Sequence, residues 1–206
     1  MKMLNLVTVM VATVAMALLL VVNLMASETS DKAPRIVREA SQPVGFPQLT
    51  PVGKIQVKTY PVVRSASVSR NAGSQNSSFR TLFSHIKQND IAMTSPVEMT
   101  YDERGLARMA FLYKSTRIGE VGKSGSVQVA DIRATTVVSI GVRGSYTQER
   151  FDEKKAVLEA WLAEKEGAWV VDGNPRYLAF NSPFVPGMMK YGEVQIPIRP
   201  AGQVSQ

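Results

Sequence analysis

Between Lys54 and Arg199 the 206-residue chain spells one order of elements twice, and this duplication constrains its fold more than composition does. "KIQVKTY" (Lys54–Tyr60) alternates apolar and polar residues, the period-two mark of a strand. After Pro61, "VVRSASVSR" does so loosely. "NAGSQNSS" is a loop that also offers helix N-caps. "FRTLFSHIKQ" then places Phe79, Leu82, Phe83 and Ile86 on one face of a short helix. "IAMTSPVEMTY" alternates again, "DERG" turns, and "LARMAFLYK" follows as a strand. The second half repeats this order. "SVQVADI" (Ser126–Ile132) and "TTVVSIGVRG" (Thr135–Gly144) are strands. Ser145 and Gln148 have capping-box spacing. A helix runs to about Lys165, with Phe151, Leu158, Trp161 and Leu162 inward and Gly167 placed to end it. "RYLAFNSPF" and "GEVQIPI" close the half. Two β-β-α-β-β units in tandem predict an α+β domain, a distorted antiparallel β-barrel with two helices.

Within the duplication lies a finer echo. "IAMTSPV" (Ile91–Val97) and "LAFNSPF" (Leu178–Phe184) share Ala, Ser and Pro at the same offsets. Proline in a strand needs an edge or a bulge. Pro96 and Pro183 are therefore expected to bend equivalent strands and help shape a cleft. The same alternation sets Ile91, Met93, Val97, Met99 and Tyr101 on one side and turns Glu98 toward solvent. The glycines of "RIGEVGKSGS" (Arg117–Ser126) match no phosphate-binding loop and read as a flexible inter-repeat linker.

Outside the repeats the chain changes character. Leu6–Ala26 is 21 residues without a charge, enough to span a hydrocarbon core as a helix. It reads as an uncleaved N-terminal anchor, or as a signal peptide cut after Ala26. Lys2 on the short side favours an exported body, either membrane-tethered or secreted. Residues 27–53, with four prolines and no period, read as a linker or stalk. The body is expected over 54–199 and a frayed tail over 200–206. With no cysteine, disulfides, thiolate metal sites and cysteine nucleophiles are excluded. A single histidine excludes multi-histidine metal centres. The net charge of +7 is scattered, without a basic-aromatic cluster. On an exported chain it predicts a solvated surface able to attract an anionic membrane or acidic ligand, and no nucleic-acid partner. G-x-S-x-G, Walker A and H-E-x-x-H motifs are all missing, so no catalytic residue is assigned.

Two stretches, "FRTLFSHIKQNDIAMTSPV" (Phe79–Val97) and "YLAFNSPFVPGMMKYGEVQIPI", resemble the SOUL haem-binding family. The family shows a helix F-x-x-L-x-x-Y-I, a loop, K-I-A-M-T-[AS]-P-V, and later an aromatic, Pro-rich stretch ending R-R-N-E-V. Here His85 stands at the tyrosine, the loop shortens to "KQND", and R-R-N-E-V reads "KYGEV". The resemblance implies a tandem-repeat fold similar to effector-binding domains of bacterial regulators. It also implies non-covalent, non-catalytic capture of haem or a related tetrapyrrole. The alternatives are a module or hydrolase-like enzyme for another amphipathic small molecule, and a protein-interaction domain.

Such a ligand needs an apolar cleft with cations at its mouth. His85 is the candidate iron ligand, since imidazole suits haem iron; it projects onto the helix flank, which fits a partly exposed surface histidine equally well. Met93, Met188 and Met189 are candidate lining or thioether donors. Phe79 and Phe184 are candidate stacking rings. Arg80 and Lys190 are candidate partners for propionates.

Overall fold

The computed structural model describes residues 34–69, 74–165 and 167–202. The expectations for Leu6–Ala26, and for the beginning of the linker and the end of the tail, lie outside these residues. Among the described residues no helix is long and apolar enough to cross a membrane.

The first half contains β1 (Ile55–Tyr60), β2 (Val63–Ser69), α1 (Gln75–Gln88), β3 (Val97–Asp102) and β4 (Gly105–Leu112). A short β5 (Gly122–Ser124) follows. The second half contains β6 (Val127–Ile132), β7 (Thr135–Arg143), α2 (Gln148–Glu164), β8 (Trp169–Val171), β9 (Arg176–Ala179) and β10 (Tyr191–Pro200). The doubled element order thus appears, with β5 and β8 added. All ladders are antiparallel, in the order β1-β7-β10-β9-β3-β4-β2-β6-β5, with β8 on the far end of β10. The path starts at β1 and ends at β5. The expected barrel is corrected on this point: the ten strands form one open sheet.

The order is nearly a palindrome about the β3–β9 pair, where Val97 faces Ala179 and Thr100 faces Arg176. The first strand of each half crosses to the other: β1 pairs with β7, and β6 pairs with β2. Neither half can complete its own sheet, which binds the repeats into one body.

Each helix covers one end of the sheet, on strands that include one exchanged from the other half in the case of α1. Helix α1 packs over β2, β4 and β6, and α2 over β7 and β10. Beneath them runs the main core, including Leu82, Ile86, Met99, Met109, Phe111, Phe151, Tyr177 and Val194. Ser74 caps α1, its hydroxyl accepting from the Ser77 N–H. Starting at Gln75 and ending on this core, α1 buries Ser78, Leu82, His85 and Ile86, while Phe83 is exposed. The inner face is therefore rotated from the expected one, exchanging Phe83 for His85. Thr147, not Ser145, caps α2, its hydroxyl accepting from Arg150 N–H.

The other face of the sheet has a cover of its own. Within the stretch read as a linker, Ile36, Phe46 and Leu49 pack with Tyr60, Val137, Leu178, Phe180 and Tyr191. This strap runs so close to β7 that a Cβ on Gly141 would stand 2.3 Å from the Thr50 carbonyl oxygen. Only glycine allows that approach. Val52 then bridges Gly141, and Gly53 N–H donates to its carbonyl. Cover on both faces explains why "VVSIGV" in β7 is buried throughout and does not alternate.

The two prolines do not occupy equivalent strand positions. Pro96 immediately precedes β3, whereas Pro183 lies in the loop after β9. Antiparallel pairing nonetheless brings the two segments to the same end of the central strand pair, and the strap grips both. Ser95 N–H donates to Ser41 O and its hydroxyl to Ala40 O. Asn181 Nδ2 donates to Val37 O at 2.7 Å. Ser182 donates to Glu39 from its N–H at 2.8 Å and its hydroxyl at 2.6 Å. Those bonds hold the Glu39 carboxyl below its usual range.

Candidate functional site

The sole histidine stands in a recess between α1 and the β5–β6 hairpin. Helix α1 ends in a Schellman arrangement: Ile91 N–H donates to Ile86 O, and Asp90 N–H to Lys87 O. Asp90 takes the left-handed position at φ 52°, doing in "KQND" what glycine ordinarily does. This turn directs Ile91 back toward His85. Opposite them, Tyr113 extends beyond β4, its N–H bound to Arg64 O. Arg64 also donates to Gly119 O and makes two bonds to Asp131, at 2.8 and 3.0 Å. Gly119 presses on the Tyr113 ring: a Cβ there would stand 2.8 Å from it, at a φ of +68°.

The resulting recess holds about 430 Å³, within the range of small-molecule sites. Ile91, Val121, Val129 and the Tyr113 ring supply apolar wall, Lys123 a cation, and Asn89, Glu120 and Ser124 polar groups. His85 is only 8% exposed. Its Nε2 lies 3.0 Å from the Tyr113 hydroxyl. Burial lowers the imidazole pKa below 6.5 and raises that of the Tyr113 phenol. At neutral pH the ring is therefore an uncharged imidazole with a lone pair, the form that ligates a metal. Arg117–Ser126, read as an inter-repeat linker, contains β5 and much of this wall.

The other residues proposed from sequence fall elsewhere. Phe79 packs edge-on against Phe111 and stacks beside Phe83, under α1. Arg80 is exposed on the same helix, and Met93 is half-buried against the main core. Met188 and Met189 line a second, shallower recess with Arg35, Ile36, Val37 and Arg143. Lys190 stands 5.6 Å from the Tyr146 ring centre, and Phe184 projects into solvent. No residue lines both recesses. Among the described residues no group of three or more His, Cys, Asp or Glu could hold a metal ion.

A charged network runs beneath the strap, and sequence reasoning missed it. Glu98 is buried, not solvent-facing; its Oε1 accepts from Arg108 at 2.6 Å and its Oε2 from Arg176 at 2.8 Å. Both oxygens are committed to guanidinium groups, an arrangement of ion-pair scaffolding and not of a free general base. Arg176 continues to Gln195, and Gln195 to Glu193 and Tyr60. Glu193 is 0% exposed. It accepts from Thr50 N–H, Tyr60, Ser139, Tyr191, Gln195 and Lys58, whose ammonium lies 2.7 Å from Oε2. Burial pushes the Glu193 carboxyl up, but Lys58 and these donors outweigh it and leave the pKa lowered. Burial lowers the Lys58 pKa, with Glu193 pulling the other way. Burial also raises the Tyr60 phenol well above 10.0. The available signal was the period-two run Tyr191, Glu193, Gln195, which reads as an outward face unless the strap is known.

The chain is thus an α+β protein whose open antiparallel sheet is built from two interlocked units, with a mixed apolar and polar recess beside one helix. The chain belongs to the SOUL family: the model described as "SOUL heme-binding protein" matches residues 46–197. No curated protein matches the sequence significantly. Among solved structures the chain is similar to the C-terminal domain of EcmrR, at 16% identity and TM-score 0.54, over 71% of this chain and 98% of that one. It is similar to EcmrR in a DNA complex, at 17% identity and TM-score 0.54, over 71% of this chain and 57% of that one. A hydrolase from Listeria innocua is also similar, at 12% identity and TM-score 0.51, over 73% of this chain and 94% of that one. At such identities the likeness is one of fold.

The exclusion of nucleic acid is corrected by these comparisons. EcmrR, which carries a fold like this one, was solved on DNA, with the match spanning 57% of its chain. Scattered surface charge describes this domain and sets no limit on the assemblies in which such a fold occurs.

Proposed function

We propose that this protein binds haem or a related tetrapyrrole, without catalysis, in the recess between α1 and the β5–β6 hairpin. One observation carries the reading: in a chain of the SOUL family, the sole histidine is buried in the wall of a recess of about 430 Å³. The residues fit such a ligand. When bound, haem supplies a flat apolar ring, an iron that takes a nitrogen ligand, and two propionates. His85 offers a neutral imidazole. Ile91, Val121, Val129 and the Tyr113 ring offer apolar contact, and Lys123 offers a cation for a carboxylate. The Tyr113 hydroxyl holds the imidazole through Nε2, so it orients the ring and must yield if that nitrogen is to ligate.

The same reading places the body outside the cytoplasm, tethered by Leu6–Ala26. The length of this uncharged run and Lys2 ahead of it support that reading.

The test is a haemin titration of the purified full chain, followed at the Soret band. A saturable shift at micromolar haemin is expected, with His85→Ala losing the nitrogen-ligated spectrum. No saturable shift would remove the tetrapyrrole reading. A shift unchanged by His85→Ala would move the site away from this recess.

A further inference from the structure

The loop between β9 and β10 exposes apolar side chains that the fold does not use. Phe184 is 93% exposed, Met188 82% and Met189 47%. Yet the loop is built, not slack. Ser182 is fastened to Glu39, and a 3-10 turn spans Gly187–Met189. Arg143 donates to Met189 O at 3.0 Å and to Arg35 O at 2.8 Å. These bonds fix the loop against Arg35–Val37, leaving the shallow recess of about 340 Å³ lined by both methionines.

Basic residues belong to the segments that build this tip: Arg35 and Arg143 line the recess, Arg38 is exposed three residues after Arg35, and Lys190 follows Met189. Glu39 is the one acid within residues 34–41 and 182–190, and it is committed to Ser182. Exposed phenylalanine and methionine on segments that also carry these cations match a lipid interface, with apolar groups at the acyl boundary and cations among anionic headgroups. Chain length brings such a surface within reach. The apolar run ends at Ala26, eight residues before Pro34. Eight extended residues span at most about 29 Å.

We propose that this face, formed by the β9–β10 loop and Arg35–Arg38, docks on an anionic lipid bilayer and orients the tethered body. The proposal rests on the membrane tether read above.

The chain has no cysteine, so one introduced thiol can be labelled uniquely. The full chain carrying Phe184→Cys or Met188→Cys, each labelled with an environment-sensitive nitrobenzoxadiazole, is reconstituted into phosphatidylcholine–phosphatidylglycerol vesicles and floated. Val171→Cys, exposed on β8 at the opposite end of β10, is the control. Labels at 184 and 188 should shift to the blue with a several-fold rise in emission, and nitroxide lipids should quench them; the label at 171 should do neither. Pure phosphatidylcholine or high salt should weaken the response. Arg35→Gln with Arg38→Gln should weaken docking by about 25-fold, about five-fold per cation. A chain that floats while the labels stay solvent-like overturns the docking face and leaves the tether standing. A chain that does not float overturns both. A blue shift in detergent that grows with protein concentration assigns the patch to self-association and also overturns the proposal.

Discussion

Replacing Glu193 by glutamine barely changes the side chain's volume but removes a negative charge from the covered face of the sheet. Lys58 then remains beneath the strap, its side chain 9% exposed, without its carboxylate partner. Tyr60, Tyr191, Ser139, Gln195 and the Thr50 N–H all donate to the present carboxylate. A carboxamide has one acceptor oxygen, and its amino group faces donors. Breaking a buried pair from one side costs about 3–5 kcal/mol, because the remaining charge is uncompensated. For a protein of this size the loss corresponds to a fall in Tm of about 6–20 °C. Urea and thermal unfolding of Glu193→Gln measure it. The decisive control is Lys58→Met in both backgrounds. In wild type it strands a carboxylate and should destabilise; in Glu193→Gln it removes the stranded cation and should restore stability. The same effect of Lys58→Met in both backgrounds, or a Glu193→Gln loss under about 1 kcal/mol, refutes the reasoning. Acid sharpens the comparison. The folded Glu193 carboxyl titrates below its ordinary value of 4.5. A lowered carboxyl gives stability that is complete above its unfolded pKa and lost as pH falls through the folded one. Wild type should show this acid limb below about pH 4.5, and Glu193→Gln should lack it.

His85, as the only histidine, should give a single imidazole titration by proton NMR, with its midpoint below 6.5 because burial disfavours the cation. By the same linkage, its contribution to stability is complete above pH 6.5 and lost as pH falls through the lower folded value; a midpoint at or above 6.5 contradicts the burial argument. Gly141→Ala should force the strap off β7, since backbone oxygens of Thr50 and Pro51 lie 2.3 and 2.5 Å from the new Cβ. The cost is about 1–3 kcal/mol, and amide exchange should accelerate at Thr50 and Gly53, whose N–H groups bond Glu193 and Gly141; unchanged protection at both would show that the strap does not need this glycine.

What sequence periodicity could reach was local. β4, β6 and β7 and both helices fall where apolar spacing puts them, because each presents one face to the main core, whereas β3 starts only at Val97, after the Ile91–Pro96 stretch that the same alternation included. The strand exchange was not legible: β1 beside β7 satisfies the same alternation as β1 beside β2. The face of α1 was misjudged because an apolar stripe does not reveal which flank faces the sheet; contact with Tyr113 turned His85 inward. Glu98 was misjudged, and Glu193 went unnoticed, for one reason. Period two separates the two faces of a strand, but it does not show which is covered. Here both are, the second by Ile36, Phe46 and Leu49, whose spacing has no period at all.

The strap also changes the meaning of the echoed Ser-Pro segments. The family match begins at residue 46, yet the contacts that grip Ser95, Asn181 and Ser182 come from Val37–Ser41, upstream of it. Four of those five residues, Val37, Glu39, Ala40 and Ser41, bond the segment leaving β9 and the segment entering β3, the central pair of the sheet. They also adjoin the exposed loop carrying Phe184 and Met188 through the Glu39–Ser182 bonds. That loop is therefore fastened beside the junction between the two repeats, not to a peripheral hairpin. The His85 recess lies elsewhere, between α1 and the β5–β6 hairpin, and shares no lining residue with the recess beside the loop. The fold thus separates the exposed apolar loop from the His85 recess, and one continuous sheet of exchanged strands carries both.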